Sequence, residues 1–250
     1  MVNLDIIYNI CDWFLYHPND PEDSRINIAS PASFKLPFES VFISAQDNVK
    51  INVVFIKQQP ENVFCTAINL IYLHGNAGNI GHRLNNIHEI YNKIGCNILV
   101  VEYRGYGRSQ GYPSEKGLYL DAQAALSYLL HHPGIDHHKI FLFGRSLGAA
   151  VAIELAHRIE SSPHLRGMII ENTFTSIPDL AKLIFDCRLI RCLPNWFYKN
   201  QYNSLPKITR CSLPTLFISG LSDELIPPLM MQTLFRVIII QLIHWLIYLI

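Results

Sequence analysis

Gly144-Arg145-Ser146-Leu147-Gly148 lies between an apolar, aromatic-rich run ending at Phe143 and a small-residue, helix-forming stretch that starts at Gly148. This is the spacing a nucleophilic serine needs at a sharp strand-to-helix turn. Such a bend leaves no room for side chains two residues either side of its apex, hence the glycines. The strained apex residue then pushes its hydroxyl into the open. The following helix aims its positive end at the place where an oxyanion would develop. A bare G-x-S-x-G also occurs as an ordinary turn in parallel α/β proteins; the strand before it and the helix after it mark Ser146 as a nucleophile. Acyl transfer further requires two N–H donors for the oxyanion. Leu147, next to the serine, supplies one. The loop His74-Gly75-Asn76-Ala77-Gly78-Asn79, past another apolar run, supplies the second through Asn76, although these residues also make a good turn. In Gly220-Leu221-Ser222-Asp223-Glu224-Leu225-Ile226-Pro227-Pro228, Asp223 is placed to orient a histidine, the alternative being an ordinary surface Asp-Glu pair.

The elements that must hold these groups follow from periodicity. Residues 38–44 and 49–57 alternate as strands around a turn at 46–48. Residues 69–73 and 97–103 are near-continuous apolar runs, expected of parallel strands buried on both faces. Residues 81–94 and 117–130 read as helices, 167–171 and 215–219 as further strands. The glycine-spaced segment 103–111 lacks the G-K-[ST] ending of a phosphate loop and reads as a loop on the active-site face. Residues 177–200, with Trp196, Phe197 and Tyr198, read as an insertion over the site. These aromatics suit an apolar acyl group, though such residues in an insertion more often pack than recognise. The alternation predicts a doubly wound, mostly parallel sheet with an antiparallel start.

Composition narrows the function. Half of the 250 residues are hydrophobic, 16% are charged and the formal net charge is zero. This describes a core-rich globular chain with no basic cluster, and argues against nucleic acid as a partner. Cys11, Cys65, Cys96, Cys187, Cys192 and Cys211 form no C-x-x-C and read as reduced buried thiols, with Cys187–Cys192 the one pairing within a segment. No histidine or cysteine spacing suggests a metal, and no cofactor is implied. Residues 1–16 have helical apolar spacing but are too short and polar for a signal peptide or a membrane span.

With these three motifs in hand, the acid following the serine in the chain, the sequence resembles the α/β-hydrolases, whose acid turn has the G-x-x-D spacing that favours Asp223 over Glu224. More narrowly, HGNAGNIGHR from His74, YRGYG from Tyr103, GLYLD from Gly117, IFLFGRSLG from Ile140, ENTFTSIP from Glu171 and LFISGLSDELIPPLMM from Leu216 resemble the alpha/beta hydrolase domain-containing protein 13 group. That resemblance implies a serine hydrolase acting on an acyl ester or thioester, a lipidated protein among the possible substrates, with acyl-protein thioesterase or related esterase activity and membrane association through an N-terminal helix. It also implies three parts: an N-terminal helix and loop over 1–35, an incomplete α/β-hydrolase domain over 36–235, and an unrelated apolar tail over 236–250. On this reading the N-terminal anchor is absent, leaving a cytoplasmic protein otherwise, and the fold is truncated with its last strand and helix missing. The catalytic histidine expected after the acid is then missing too. His244, the only histidine past Asp223, sits in an apolar run with no loop around it. The alternatives to an active enzyme are an inactive truncated hydrolase fold and a non-enzymatic lipid- or partner-binding module. The strained elbow argues against the module.

Overall fold

The structure is a computed structural model that describes residues 15–158, 164–185 and 191–248, with side-chain surroundings as far as residue 239. The helix expected over residues 1–16 falls almost wholly outside the described residues. Strands β1 (Phe38–Ser44), β2 (Lys50–Ile56), β3 (Asn69–Leu73), β4 (Asn97–Val101), β5 (Ile140–Arg145), β6 (Leu165–Glu171) and β7 (Thr215–Ile218) form a sheet in the order β1-β2-β4-β3-β5-β6-β7. β2 runs antiparallel to both β1 and β4, and every later pairing is parallel. Among the described residues the α-helices are α1 (Glu61–Thr66), α2 (Leu84–Ile94), α3 (Glu115–His131), α4 (Leu147–Arg158), α5 (Ile177–Ile184), α6 (Ser204–Ile208) and α7 (Pro228–Tyr248).

The central strands are apolar throughout because both faces are covered. Ile71 and Leu73 of β3 join Leu99 and Val101 of β4 in a core closed by Leu118 and Ala122 of α3 and by α4. Leu70 and Tyr72 join Ile98 and Val100 in a second core under Leu84 and Ile87 of α2. The strand period of two sends alternate residues to opposite layers. Ser114 caps α3 by accepting the Gly117 N–H, and Gly95, at φ 70°, ends α2 in the left-handed conformation that a side chain would resist.

One expectation is overturned here. The last strand and helix are present: β7 adds in parallel register to β6, and α7 starts with Pro228 as its first residue and buries Met230, Met231 and Leu234 in the main core. No glycine or proline occurs after Pro228 to stop the helix, so α7 runs through the 235/236 boundary at which an unrelated tail was expected to begin. The expected membrane association also needs correction. Among the described residues no helix is long and apolar enough to cross a membrane. Cys65, Cys96 and Cys192 carry free thiols, and Cys187, the expected partner of Cys192, lies outside the described residues.

Candidate active site

Ser146 occupies the turn between β5 and α4 with φ at 54°, a left-handed conformation costly for a residue with a side chain. Its flanking glycines are required by contact. A Cβ on Gly148 would lie 2.1 Å from the Leu73 carbonyl oxygen, and one on Gly144 2.5 Å from the Cα of Ala149. The apex is tied on both sides: the Ser146 N–H donates to the Glu171 carbonyl at 2.8 Å, and the Thr173 hydroxyl donates to the Ser146 carbonyl at 2.8 Å. Leu147 is the first residue of α4, so its N–H has no acceptor within the helix.

The His74–Asn79 loop closes against this apex. A Cβ on Gly75 would sit 3.6 Å from the Ser146 Cβ. The Asn76 carbonyl accepts the His17 N–H at 2.9 Å and the Tyr106 hydroxyl at 2.7 Å, and its side-chain amide donates to Leu15 at 3.1 Å. Its own backbone N–H meets no acceptor among the described residues. Tyr106 is delivered by the 103–111 loop, which Arg25 organises by donating to the carbonyls of Gly105, Gly107 and Ser109 at 2.7, 3.2 and 2.9 Å.

Asp223 lies past the end of β7. Its Oδ1 accepts the N–H groups of Leu225 at 2.9 Å and Ile226 at 2.8 Å, which leaves Oδ2 unengaged among the described residues. Asn172, at φ 44°, links this loop to the nucleophile. Its side chain accepts the Gly220 N–H at 2.7 Å, and its own N–H donates to Ile218 at 3.0 Å. Residues 171–173 therefore hold the serine on one side and the acid loop on the other.

Residues 67–207 match the model of the family described as serine aminopeptidase, S33. The chain belongs to this family of α/β-hydrolases. At family level it is a serine ester or thioester hydrolase. It is 35% identical to the protein bem46 of Schizosaccharomyces pombe, over 94% of this chain and 77% of that one. It is 36% identical to the alpha/beta hydrolase domain-containing protein WAV2 of Arabidopsis thaliana, over 88% and 73%. Among solved structures, an alpha-beta hydrolase of Vibrio vulnificus superposes with a TM-score of 0.68 at 20% identity, over 87% of this chain and 78% of that one. An esterase of Pyrococcus furiosus superposes with a TM-score of 0.66 at 22% identity, over 85% and 80%, and so shares the fold.

Ser146, the His74–Asn79 loop and Asp223 each follow the carboxyl end of a parallel strand, but among the described residues no histidine bonds to Ser146 or Asp223. His74 is buried, with Nδ1 on the Gly75 carbonyl at 2.7 Å. His82 caps Asn79, accepting its N–H at 3.1 Å. His131, His132, His137, His138 and His164 belong to the segments leading into β5 and β6, at the far end of the sheet from the elbow. The helix carries His244, whose side chain lies outside the described surroundings. Of the aromatics of the insertion, Trp196 is 73% exposed while Tyr198 is buried. Sequence reading missed Glu102, Tyr106 and Asn172. Glu102 had a visible signal, a charge ending the apolar run of β4; Asn172 had none, since a polar residue after a strand is commonplace.

Proposed function

We propose that this hydrolase cleaves an acyl ester or thioester through Ser146, with the Asn76 and Leu147 amides as oxyanion donors and Asp223 as the carboxylate that orients the general base. The observation that carries the reading is the apex itself: a left-handed Ser146 wedged between glycines, beside a loop amide with no acceptor among the described residues. Backbone strain of that kind costs on the order of 1–3 kcal/mol and persists where it serves a site. Ser146 Oγ attacks the carbonyl carbon, its proton passes to the base, and the oxygen that gains charge is held by two N–H groups. The acyl-enzyme releases an alcohol or thiol and is then hydrolysed by water. A thiol, with an ordinary pKa of about 8.5, departs with little need of protonation, which suits a site whose base makes no contact with Ser146 before substrate binds. An S-acylated protein or peptide is the thioester substrate this reading favours.

The missing histidine contact supports a second reading, a hydrolase fold with little or no turnover. Treatment with a fluorophosphonate probe separates the two. Labelling of the wild-type chain that disappears in Ser146→Ala establishes a working nucleophile. An unlabelled, folded wild-type chain leaves the second reading standing.

A further inference from the structure

Beneath the oxyanion loop lies a buried polar cluster that the reaction above does not use. His74 and Glu102 are both fully buried. His74 Nε2, Glu102 Oε1 and Arg83 Nε have no hydrogen-bond partner among the described residues. Yet every one of these side chains grips the loop elsewhere. His74 Nδ1 is 2.7 Å from the Gly75 carbonyl, Arg83 donates to the Ala77 carbonyl, and Glu102 Oε2 accepts the Ile80 N–H at 3.1 Å. We propose that Glu102, acting through His74, is a positioning residue that aims the Asn76 N–H at the carbonyl to be attacked, an inference that builds on Ser146 as nucleophile.

One peptide plane, Gly75–Asn76, links the ring to the oxyanion donor. A carbonyl oxygen only accepts, so His74 Nδ1 carries a hydrogen and donates it to Gly75. In a planar trans peptide the C=O and the next N–H point in opposite directions. Holding the Gly75 oxygen on the buried side therefore turns the Asn76 N–H outward, along the loop that abuts Ser146. The ring keeps that task only while its other nitrogen is held. Nε2 faces Glu102 Oε1 at 3.4 Å, and a single hydrogen between them satisfies both atoms. The carboxylate cannot wander: a Cβ on Gly107 would come within 2.2 Å of its Oε2, and the Glu102 carbonyl accepts the Ser109 hydroxyl at 2.7 Å. Tyr103 and Tyr106 close over the ring with centroids 4.5 and 5.4 Å away.

The test compares Glu102→Gln with Glu102→Leu beside wild type and Ser146→Ala, reading kcat and KM on a thioester and, independently of turnover, the Asn76 amide resonance. Glutamine can donate to Nε2 and accept from Ile80, so it should keep near-native kcat and an unmoved amide. Leucine fills the space but makes neither contact; it should lower kcat about 10- to 100-fold at unchanged KM, part of the loss expected on removing an oxyanion donor. It should also shift or broaden the Asn76 amide. A folded Glu102→Leu with native kcat or an undisturbed amide overturns the proposal, as does a Gln variant as impaired as Leu. Should Glu102→Leu not fold, an undisturbed Asn76 amide in Glu102→Gln supports the proposal and a disturbed one overturns it. A wild type without turnover or probe labelling defeats the reading of Ser146, while the amide comparison still decides the role of Glu102.

Discussion

The two halves of the proposed catalytic apparatus, Ser146 as nucleophile and Asp223 as acid, are built differently. The nucleophile sits at the end of β5, in the middle of the sheet, with β3 and β6 on either side and α4 packed into the main core. Around it backbone touches backbone so closely that Gly148 has no space for even a methyl group. The acid sits beyond β7, the edge strand, where Leu216 is 56% and Leu221 84% exposed. Its loop is held by two N–H groups to its own carboxylate and by Asn172. The nucleophile is thus secured by the same packing that stabilises the fold, whereas the acid is secured by a few hydrogen bonds that stability hardly depends on. Mutations in the first half should unfold the protein before they inform about chemistry; those in the second should change chemistry with the fold intact.

Asp223→Asn gives the largest contrast. The amide oxygen still accepts from Leu225 and Ile226, so stability should stay within about 0.5 kcal/mol of wild type. In an active chain, thioester turnover should fall about 10⁴-fold, as when a triad carboxylate is neutralised. A loss under tenfold would remove Asp223 from its role. Next comes Gly148→Ala, whose new Cβ must push the Leu73 carbonyl and β3 away from α4; urea unfolding should show a loss of about 3 kcal/mol. Its counterpart, Gly220→Ala, meets nothing nearer than 3.4 Å and should cost under about 0.5 kcal/mol. Equal losses at the two glycines would erase the distinction between the halves.

Asn172→Ala should cost about 1–2 kcal/mol, since alanine has no local hydrogen bond to offset the left-handed backbone. Asn172→Gly keeps that conformation at no steric cost, so any drop in turnover it shows isolates the lost bond to Gly220. The smallest effect lies at the outer rim of the nucleophile half. The Arg104 guanidinium, bonded to Asp47 at 2.6 and 3.0 Å, holds the Asp47 carboxyl below its usual 3.8. A carboxyl depressed on folding contributes stability above the unfolded value and loses it as pH falls through the folded one. Asp47 is exposed, and solvent screening keeps that contribution to about 0.5 kcal/mol. Wild type and Asp47→Asn should therefore differ by that much at neutral pH and converge on acidification below pH 3.8, checked by thermal unfolding across pH.

Much of the scaffold was legible in the chain. The apolar runs 69–73 and 97–103 read as strands buried on both faces, the second closing at Val101 in the structure, and the alternation of 38–44 with 49–57 marked an antiparallel hairpin, observed as 38–44 with 50–56. The glycines around Ser146 announced a bend because sterics act over two or three residues. The loop of Asp223 was readable for the same reason, its carboxylate bonding N–H groups two and three positions on. Family resemblance misled at the end of the chain, where it implied a missing last strand and helix, yet β7 and α7 both form. What the tertiary structure alone decided are the contacts between distant segments: Glu102 against His74, Tyr106 and His17 on Asn76, and Asn172 between β6 and the acid loop. Partners 28 to 59 positions apart leave no periodic trace in a sequence, because what joins them is the order in which strands lie side by side.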